Sequence, residues 1–213
     1  MSALQGLYAI TPPTPTLNDR LLATVEAALR GGAAVVQYRE KTRDHAKRCQ
    51  EAAALQELCE HHGVPLIVND DVDLALKVGA AGVHLGKNDG DLRDARRRIG
   101  HRILGVSCYN DWKIAEHARS IGADYVAFGG FYSSSTKPNA VTASFELLQR
   151  ARQTLELPVV AIGGITPANG AALVSAGADM LAAIQGLFGA PDVYTAARGY
   201  AQLFEPVINR NDS

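Results

Sequence analysis

The stretch PLIVNDDVDLALKVGAAGVHLG, residues 65–86, decides the fold that the sequence predicts. A short apolar run, LIV, leads into NDD, and a helical pattern, VDLALKV, ends at Gly79 before a second apolar run, VHL. Glycine after the last helical residue supplies the left-handed conformation that commonly ends a helix. The stretch therefore predicts a strand, a helix and a second strand, which is the unit of parallel sheets.

The same alternation runs through the rest of the chain. Apolar runs such as LYAIT, ILGVS and VVAIGG are each followed by a helical pattern, and there are eight such pairs. Eight repeats in 213 residues predict an α/β fold, the (β/α)8 TIM barrel with a closed parallel eight-stranded barrel. A doubly wound open sheet is the alternative, although it rarely needs eight strict repeats. We expect residues 1–213 to form one domain, with residues 209–213 as a flexible tail.

Composition limits the classes of function. Hydrophobic residues make up 47% of the chain and charged residues 20%, which is the balance of a soluble globular protein. A net charge of −1 gives no field for nucleic acid or an anionic membrane, and there is no apolar run of membrane-spanning length. Three cysteines favour a reducing compartment, and the N-terminus lacks the features of a signal peptide. We therefore expect a cytoplasmic protein.

Cations stand where a barrel carries its chemistry, at the C-terminal ends of the strands and in the loops that follow them. The stretch VVQYREK, residues 35–41, places Gln37, Arg39 and Lys41 at every second position, so that in a strand the three side chains share one face. We expect this face to bind an anion.

Two carboxylates follow neighbouring strands at the same end of the barrel. Asp70 and Asp89 lie 19 residues apart, and such a pair suits one Mg²⁺ ion, which takes one or two carboxylates together with water and phosphate oxygens. Helix N-capping or simple solvent exposure would explain the same two carboxylates without a metal.

Two further loops offer groups that bind anions. Gly163 and Gly164 end a strand before a helix, where backbone N–H groups can approach a phosphate, and their place after strand 7 favours this over a simple tight turn. The loop FYSSSTKPNA, residues 131–140, offers hydroxyls and the Lys137 ammonium, although Ser-rich stretches are also common in solvated loops. Together with the VVQYREK cations, these loops predict a diphosphate site and a separate phosphate site.

Five motifs over about residues 7–190 resemble the thiamine phosphate synthase family: QYREK, IVNDDVDLALKVGAAGVHLGKND, GVSCYN, YVAFGGFYSSSTKPNA and VVAIGGITPANGAALVSAGAD. The resemblance implies a (β/α)8 transferase with one Mg²⁺ ion. Such an enzyme joins 4-amino-2-methyl-5-hydroxymethylpyrimidine diphosphate to a thiazole phosphate or its carboxylate form, and releases diphosphate by a dissociative substitution. These small molecules are the expected partners, nucleic acid and membranes are not, and a homo-oligomer is allowed.

The resemblance also implies roles for individual residues. For the pyrimidine diphosphate they are Gln37, Arg39, Lys41, Asn69, Ser107 and Lys137. For the thiazole phosphate they are Ser134, Thr136, Gly164, Ile184 and Gln185. The implied Mg²⁺ ligands are Asp70 and Asp89, and the implied catalytic residues are Lys137, Arg39, Lys41 and Ser107. We assign no protein nucleophile, since Cys108 is expected to be inert and His84 to make structural hydrogen bonds.

The sequence departs from the family pattern at four positions, Gln185, Ser134, Lys87 and Tyr109, which affect fine substrate contacts rather than the reaction. Two alternatives remain: a thiazole tautomerase, which is an isomerase on the same barrel, and a non-catalytic phosphate-binding barrel. Neither would need the diphosphate machinery, and the sequence retains all of it. Fold alone cannot separate the three.

Overall fold

The structure, a computed structural model, describes residues 4–13, 19–132 and 143–205. Its eight strands form one closed parallel barrel, which confirms the predicted α/β TIM barrel. The strands are β1 (Gly6–Ile10), β2 (Ala33–Tyr38), β3 (Leu66–Asn69), β4 (Gly82–Leu85), β5 (Ile103–Tyr109), β6 (Tyr125–Gly129), β7 (Val159–Ile162) and β8 (Met180–Ala183). Each strand pairs with the next, and β8 pairs with β1 by placing Ala183 opposite Ala9. The carboxyl ends of all eight strands therefore surround a single mouth.

Helices cover the outside of the barrel. They are α1 (Asp19–Arg30), α2 (His45–His61), α3 (Val72–Val78), α4 (Leu92–Ile99), α5 (Trp112–Ser120), α6 (Phe145–Thr154), α7 (Pro167–Ala176), α8 (Gln185–Phe188) and α9 (Val193–Ala201), with a 3-10 turn at Gln202–Phe204. The segment MLAAIQGLF, residues 180–188, holds both β8 and the short helix α8, because Ile184 leaves the extended conformation and caps α8. None of the helices in the described ranges combines the length and apolar character that a membrane crossing needs.

Local signals set the ends of α3 as the sequence predicts. The Asp71 side chain accepts a hydrogen bond from the Leu74 N–H, which caps the start of the helix. Gly79, with a φ of 71°, ends it in the left-handed conformation that glycine adopts without strain. With its ends fixed by Asp71 and Gly79, α3 returns the chain from the mouth of the barrel at β3 to the start of β4.

The apolar core has two layers. The larger layer lies between strands and helices, and it includes residues such as Leu55 of α2 and Leu148 of α6. The smaller layer fills the barrel interior and consists of strand residues: Tyr8, Ile10, Val35, Ile67, Tyr125, Ala127, Val160, Met180 and Ala182. The two tyrosines bring hydroxyl groups into this interior, and a buried hydroxyl needs a hydrogen-bond partner.

Candidate active site

The predicted site residues that the structure describes lie at the mouth of the barrel. Gln37, Asn69 and Ser107 are in the last part of their strands, and the others follow a strand directly. The latter are Arg39, Lys41, Asp70, Asp89, Gly164, Ile184 and Gln185. Three predicted residues, Ser134, Thr136 and Lys137, lie outside the described residues.

The two carboxylates meet each other, and they do not cap helices. Asp71 caps α3 and Asp91 caps α4, so the neighbouring Asp70 and Asp89 are left to the mouth. Asp70 has a φ of 63°, a left-handed conformation that is uncommon outside glycine and is typical of functional sites. The capping alternative for Asp70 and Asp89 is therefore wrong.

The electrostatics of this pair favour a cation. Burial and a hydrogen bond with the Asp70 carboxyl raise the pKa of Asp89, while the Gly86 N–H, 2.8 Å from Asp89 Oδ2, opposes the rise. The Lys41 ammonium contacts the Asp70 carboxylate. Two carboxyl groups this close disfavour each other's ionisation until a positive charge lies beside them.

The donor set fits a magnesium ion. Within residues 4–13, 19–132 and 143–205 no group of three or more His, Cys, Asp or Glu side chains could hold a metal. Asp70 and Asp89 offer two carboxylates at the mouth, and with a magnesium ion bound there, water and substrate phosphate oxygens would supply the remaining ligands. This is the usual coordination of Mg²⁺, which dehydrates reluctantly and accepts few protein ligands.

The cations after β2 lie on a braced loop rather than on the strand. β2 ends at Tyr38, so the expectation that Gln37, Arg39 and Lys41 share one strand face is wrong beyond Gln37. The chain turns there because the Arg39 N–H donates to the buried Thr11 hydroxyl at 2.9 Å. The turn carries Lys41 towards Asp70.

A buried acid–base cluster under this loop was missed by the sequence reading. Glu40 Oε1 accepts hydrogen bonds from the N–H groups of Lys41 at 2.8 Å and Thr42 at 2.9 Å. Its other oxygen lies 3.1 Å from Lys47 Nζ, which is also 3.6 Å from the buried carboxylate of Glu51. The residue pattern of α2 gives no sign that Glu51 is buried, because an acidic residue in a helix is usually exposed.

Five polar side chains form a hydrogen-bonded chain through the barrel interior, which we call the interior chain: Gln37, Tyr8, Tyr125, His84 and Ser107. Gln37 Nε2 lies 2.9 Å from Tyr8 OH, and Tyr8 OH lies 2.6 Å from Tyr125 OH. Tyr125 OH lies 2.9 Å from His84 Nδ1, and His84 Nε2 lies 2.7 Å from Ser107 Oγ. His84 makes hydrogen bonds through both ring nitrogens, as the sequence predicts. The chain links two predicted substrate-binding residues, Gln37 and Ser107.

The loop after β7 has the geometry of a close backbone approach. Gly163 and Gly164 have φ angles of 114° and 60°, and a Cβ at Gly163 would lie 2.5 Å from the Gly130 Cα. The Asn169 side chain holds the turn, since its Nδ2 donates to the Gly164 carbonyl at 3.1 Å and its Oδ1 accepts from the Thr166 N–H at 2.8 Å. Ile184 and the exposed Gln185 begin α8 at the same mouth.

The Cys108 thiol is inert, as the sequence predicts. Cys108 is fully buried, and burial raises the pKa of its thiol to about 12, so it is not an activated nucleophile. His61 and His62 lie at the end of α2 with their rings edge to face. Two of the four departures from the family pattern adjoin each other, since the Lys87 N–H donates to the Tyr109 hydroxyl at 3.4 Å.

These features define a TIM barrel whose mouth presents a carboxylate pair, a braced cationic loop and a glycine turn. Residues 7–187 match the family model described as thiamine monophosphate synthase. The chain therefore belongs to the thiamine monophosphate synthase family, and it is an enzyme of the transferase class.

Individual relatives agree with this assignment. The chain is 52% identical to a thiamine-phosphate synthase of Thioalkalivibrio sulfidiphilus, covering 95% of this chain and 96% of the relative. It is 54% identical to a thiamine-phosphate synthase of Thiobacillus denitrificans, covering 93% and 94% of the two chains. The solved thiamine phosphate pyrophosphorylase of Pyrococcus furiosus superposes with a TM-score of 0.84 at 31% identity, over 93% of this chain and 95% of that one.

Proposed function

We propose that the enzyme joins 4-amino-2-methyl-5-hydroxymethylpyrimidine diphosphate to 4-methyl-5-(2-phosphoethyl)thiazole or its carboxylate form, giving thiamine phosphate and diphosphate. The observation that carries the proposal is the meeting of Asp70, Asp89 and Lys41 at the end of β2, β3 and β4. A diphosphate with its metal ion needs this combination, whereas a tautomerase does not. The family and the names of its relatives support the same reaction.

The roles of the residues follow from the leaving group. A Mg²⁺ ion held by Asp70 and Asp89 would neutralise charge on the diphosphate. Arg39 and Lys41 would approach the same oxygens from the loop after β2, and Lys137 is the third cation that the family resemblance implies there. Fixed positive charge of this kind stabilises the departing diphosphate more than the bound substrate, because charge grows as the bond breaks.

The acceptor binds on the other side of the mouth. We place the thiazole phosphate at the Gly164 turn and the Ile184 and Gln185 backbone, with Ser134 and Thr136 from the loop after β6. The thiazole nitrogen then attacks the pyrimidine methylene carbon once the C–O bond to diphosphate has broken, which makes the substitution dissociative. Gln37, Asn69 and Ser107 hold the pyrimidine diphosphate, and no covalent bond to the protein forms.

A product assay tests the proposal. The enzyme is mixed with both substrates and Mg²⁺, and thiamine phosphate and diphosphate are measured by chromatography. Equal amounts of the two products are expected. Turnover of the thiazole alone, without the pyrimidine diphosphate, would instead identify the tautomerase. A cytoplasmic location and a homo-oligomeric state stay predictions, and sedimentation equilibrium would test the latter.

A further inference from the structure

The interior chain is closed to solvent over most of its length. Gln37 is 3% exposed, Tyr8 and Tyr125 are each 1% exposed, and His84 is 7% exposed. Water is therefore a poor substitute for any link, and each buried donor must find its acceptor within the chain. Ser107, at the far end, is half-buried and lies in the last part of β5.

The chemistry of the groups gives the interior chain a direction. The amide Nε2 of Gln37 can only donate, so the Tyr8 oxygen accepts from it at 2.9 Å. Tyr8 has one hydroxyl hydrogen, and because its oxygen already accepts from Gln37, we infer that Tyr8 donates this hydrogen to the Tyr125 oxygen, 2.6 Å away. Tyr125 then has its own hydrogen left for His84 Nδ1 at 2.9 Å.

The direction continues through the imidazole. Both ring nitrogens of the buried His84 lie against hydroxyl groups rather than carboxylates, so the ring is neutral and carries one proton. Because Nδ1 accepts from Tyr125, that proton lies on Nε2 and is donated to Ser107 Oγ at 2.7 Å. The oxygen of Ser107 is then an acceptor that is already used, and its hydroxyl hydrogen is left to donate to a ligand.

The two ends of the interior chain consequently offer opposite groups. The Nε2 group of Gln37 already donates to Tyr8, so its Oε1 is left to accept a hydrogen bond from a ligand. The Ser107 hydroxyl hydrogen is left to donate one. We propose that Tyr8, Tyr125 and His84 are positioning residues that fix this polarity and thereby select an aminopyrimidine over the corresponding oxopyrimidine; this inference rests on the proposed function. An aminopyrimidine edge presents an N–H donor beside a ring-nitrogen acceptor, whereas the oxo form presents a carbonyl acceptor beside an N–H donor.

The polarity is a property of the whole interior chain. Reversing it requires the Gln37 amide to turn over, the His84 proton to move to Nδ1 and both tyrosine hydroxyls to rotate, all together. A ligand of the wrong polarity leaves buried groups unpaired, and sites that hydrogen-bond a substrate reject analogues for this reason. Breaking any link should therefore free the two ends to reorient independently.

Calorimetry with two ligands tests the inference. The 4-amino-pyrimidine diphosphate and its 4-oxo analogue are titrated, with Mg²⁺ and without a thiazole, into the wild-type enzyme and into Tyr125→Phe and Tyr8→Phe. We expect the wild type to prefer the amino form at least about 100-fold, the cost of roughly two mismatched hydrogen bonds. Either variant should lower this ratio at least about tenfold, because the phenyl ring keeps the packing and removes one link.

Tyr200→Phe is the matched control. Tyr200 is also a fully buried tyrosine, and its hydroxyl donates to the Ile165 carbonyl at 2.7 Å, outside the interior chain. Its loss should leave the ratio of the two affinities unchanged. If Tyr125→Phe and Tyr8→Phe weaken both ligands equally, the interior chain is only structural and the inference is overturned. If the wild type binds neither the amino nor the oxo diphosphate, the proposed function itself fails. The wild-type titrations alone show this outcome.

A second measurement observes the interior chain directly in the wild-type protein, and a variant serves only to assign the signals. In wild-type protein labelled with ¹⁵N-histidine, the two ring nitrogens of each neutral tautomer have distinct chemical shifts. The buried His84 should show the Nε2–H tautomer at pH 7, identified by the loss of its signals in His84→Gln. The Nδ1–H tautomer would reverse the interior chain and overturn the inference.

Discussion

The Lys41 ammonium contacts the Asp70 carboxylate, and this contact joins the loop after β2 to the end of β3. Asp70 in turn shares a hydrogen bond with Asp89, which follows β4. The three groups lie in a row along the mouth, so a ligand that brings a metal ion and a diphosphate meets one cation and two carboxylates at once. The first prediction concerns the last member of this row.

Asp89→Ala should raise the Mg²⁺ concentration needed for half-maximal activity, because one of two protein ligands is lost. The fold should survive, since Asp91 and not Asp89 caps α4. Steady-state rates over a range of Mg²⁺ concentrations measure the effect. Asp91→Ala is the control: it should lower the free energy of unfolding by about 1 kcal/mol and leave the Mg²⁺ requirement unchanged. Full activity of Asp89→Ala at low Mg²⁺ would remove Asp89 from the metal site.

Gly164→Ala should weaken binding of the thiazole phosphate more than binding of the pyrimidine diphosphate. In the proposed acceptor site the added methyl would stand where the backbone approaches the phosphate, and a φ of 60° strains any residue with a Cβ by about 1 kcal/mol. Gly79→Ala has the same backbone strain at a φ of 71° and nothing within 4 Å of the new methyl. Separate titrations of the two ligands should distinguish the variants. Equal weakening of both ligands by Gly164→Ala would mean that the loop after β7 is only a turn.

Lys137→Ala should lower kcat about 10²–10³-fold and change KM less, because the ammonium stabilises charge that grows as the diphosphate leaves. Lys137→Arg should restore activity only in part, since a planar fork replaces a compact charge. Steady-state kinetics with both substrates varied give the split, and a melting curve confirms folding. A folded Lys137→Ala with kcat within about a factor of two of the wild type would contradict the role.

Glu40→Gln should lower the free energy of unfolding by about 2 kcal/mol at pH 7, because a charged acceptor of three hydrogen bonds becomes neutral. Burial pushes the pKa of Glu40 up, but hydrogen bonds from Thr42 and Lys47 outweigh it and lower the pKa below its ordinary value. The charge of Glu40 thus stabilises the fold above the unfolded-state pKa, and this stabilisation is lost as pH falls through the lower folded-state pKa.

Denaturant unfolding at pH 7 and at pH 3 checks the sign. The difference between wild type and Glu40→Gln should shrink at the lower pH, because protonation of Glu40 progressively removes its charge. Glu57→Gln changes an exposed glutamate of α2 and should show little difference at either pH. A difference between wild type and Glu40→Gln that stays constant with pH would show that the charge of Glu40 does not brace the loop.

The sequence predicts the barrel and part of its mouth for clear physical reasons. Periodicity and caps such as Gly79 are local signals, and the ends of adjacent parallel strands must adjoin, which brings Asp70 to Asp89. The contact between Tyr8 and Tyr125 joins residues 117 positions apart, and it depends on how far the strands are staggered when the barrel closes. No local pattern carries that information.

The two layers of the core serve different purposes: the belt between strands and helices holds the fold together, and the barrel interior contributes to ligand recognition. Most of the buried apolar residues lie in the belt between strands and helices, and few lie inside the barrel. The two clusters are separate, so a change inside the barrel leaves the contacts of the belt between strands and helices in place. Residues of the barrel interior can therefore be substituted during evolution while the scaffold stays intact. A small number of such substitutions can give the enzyme a new ligand preference.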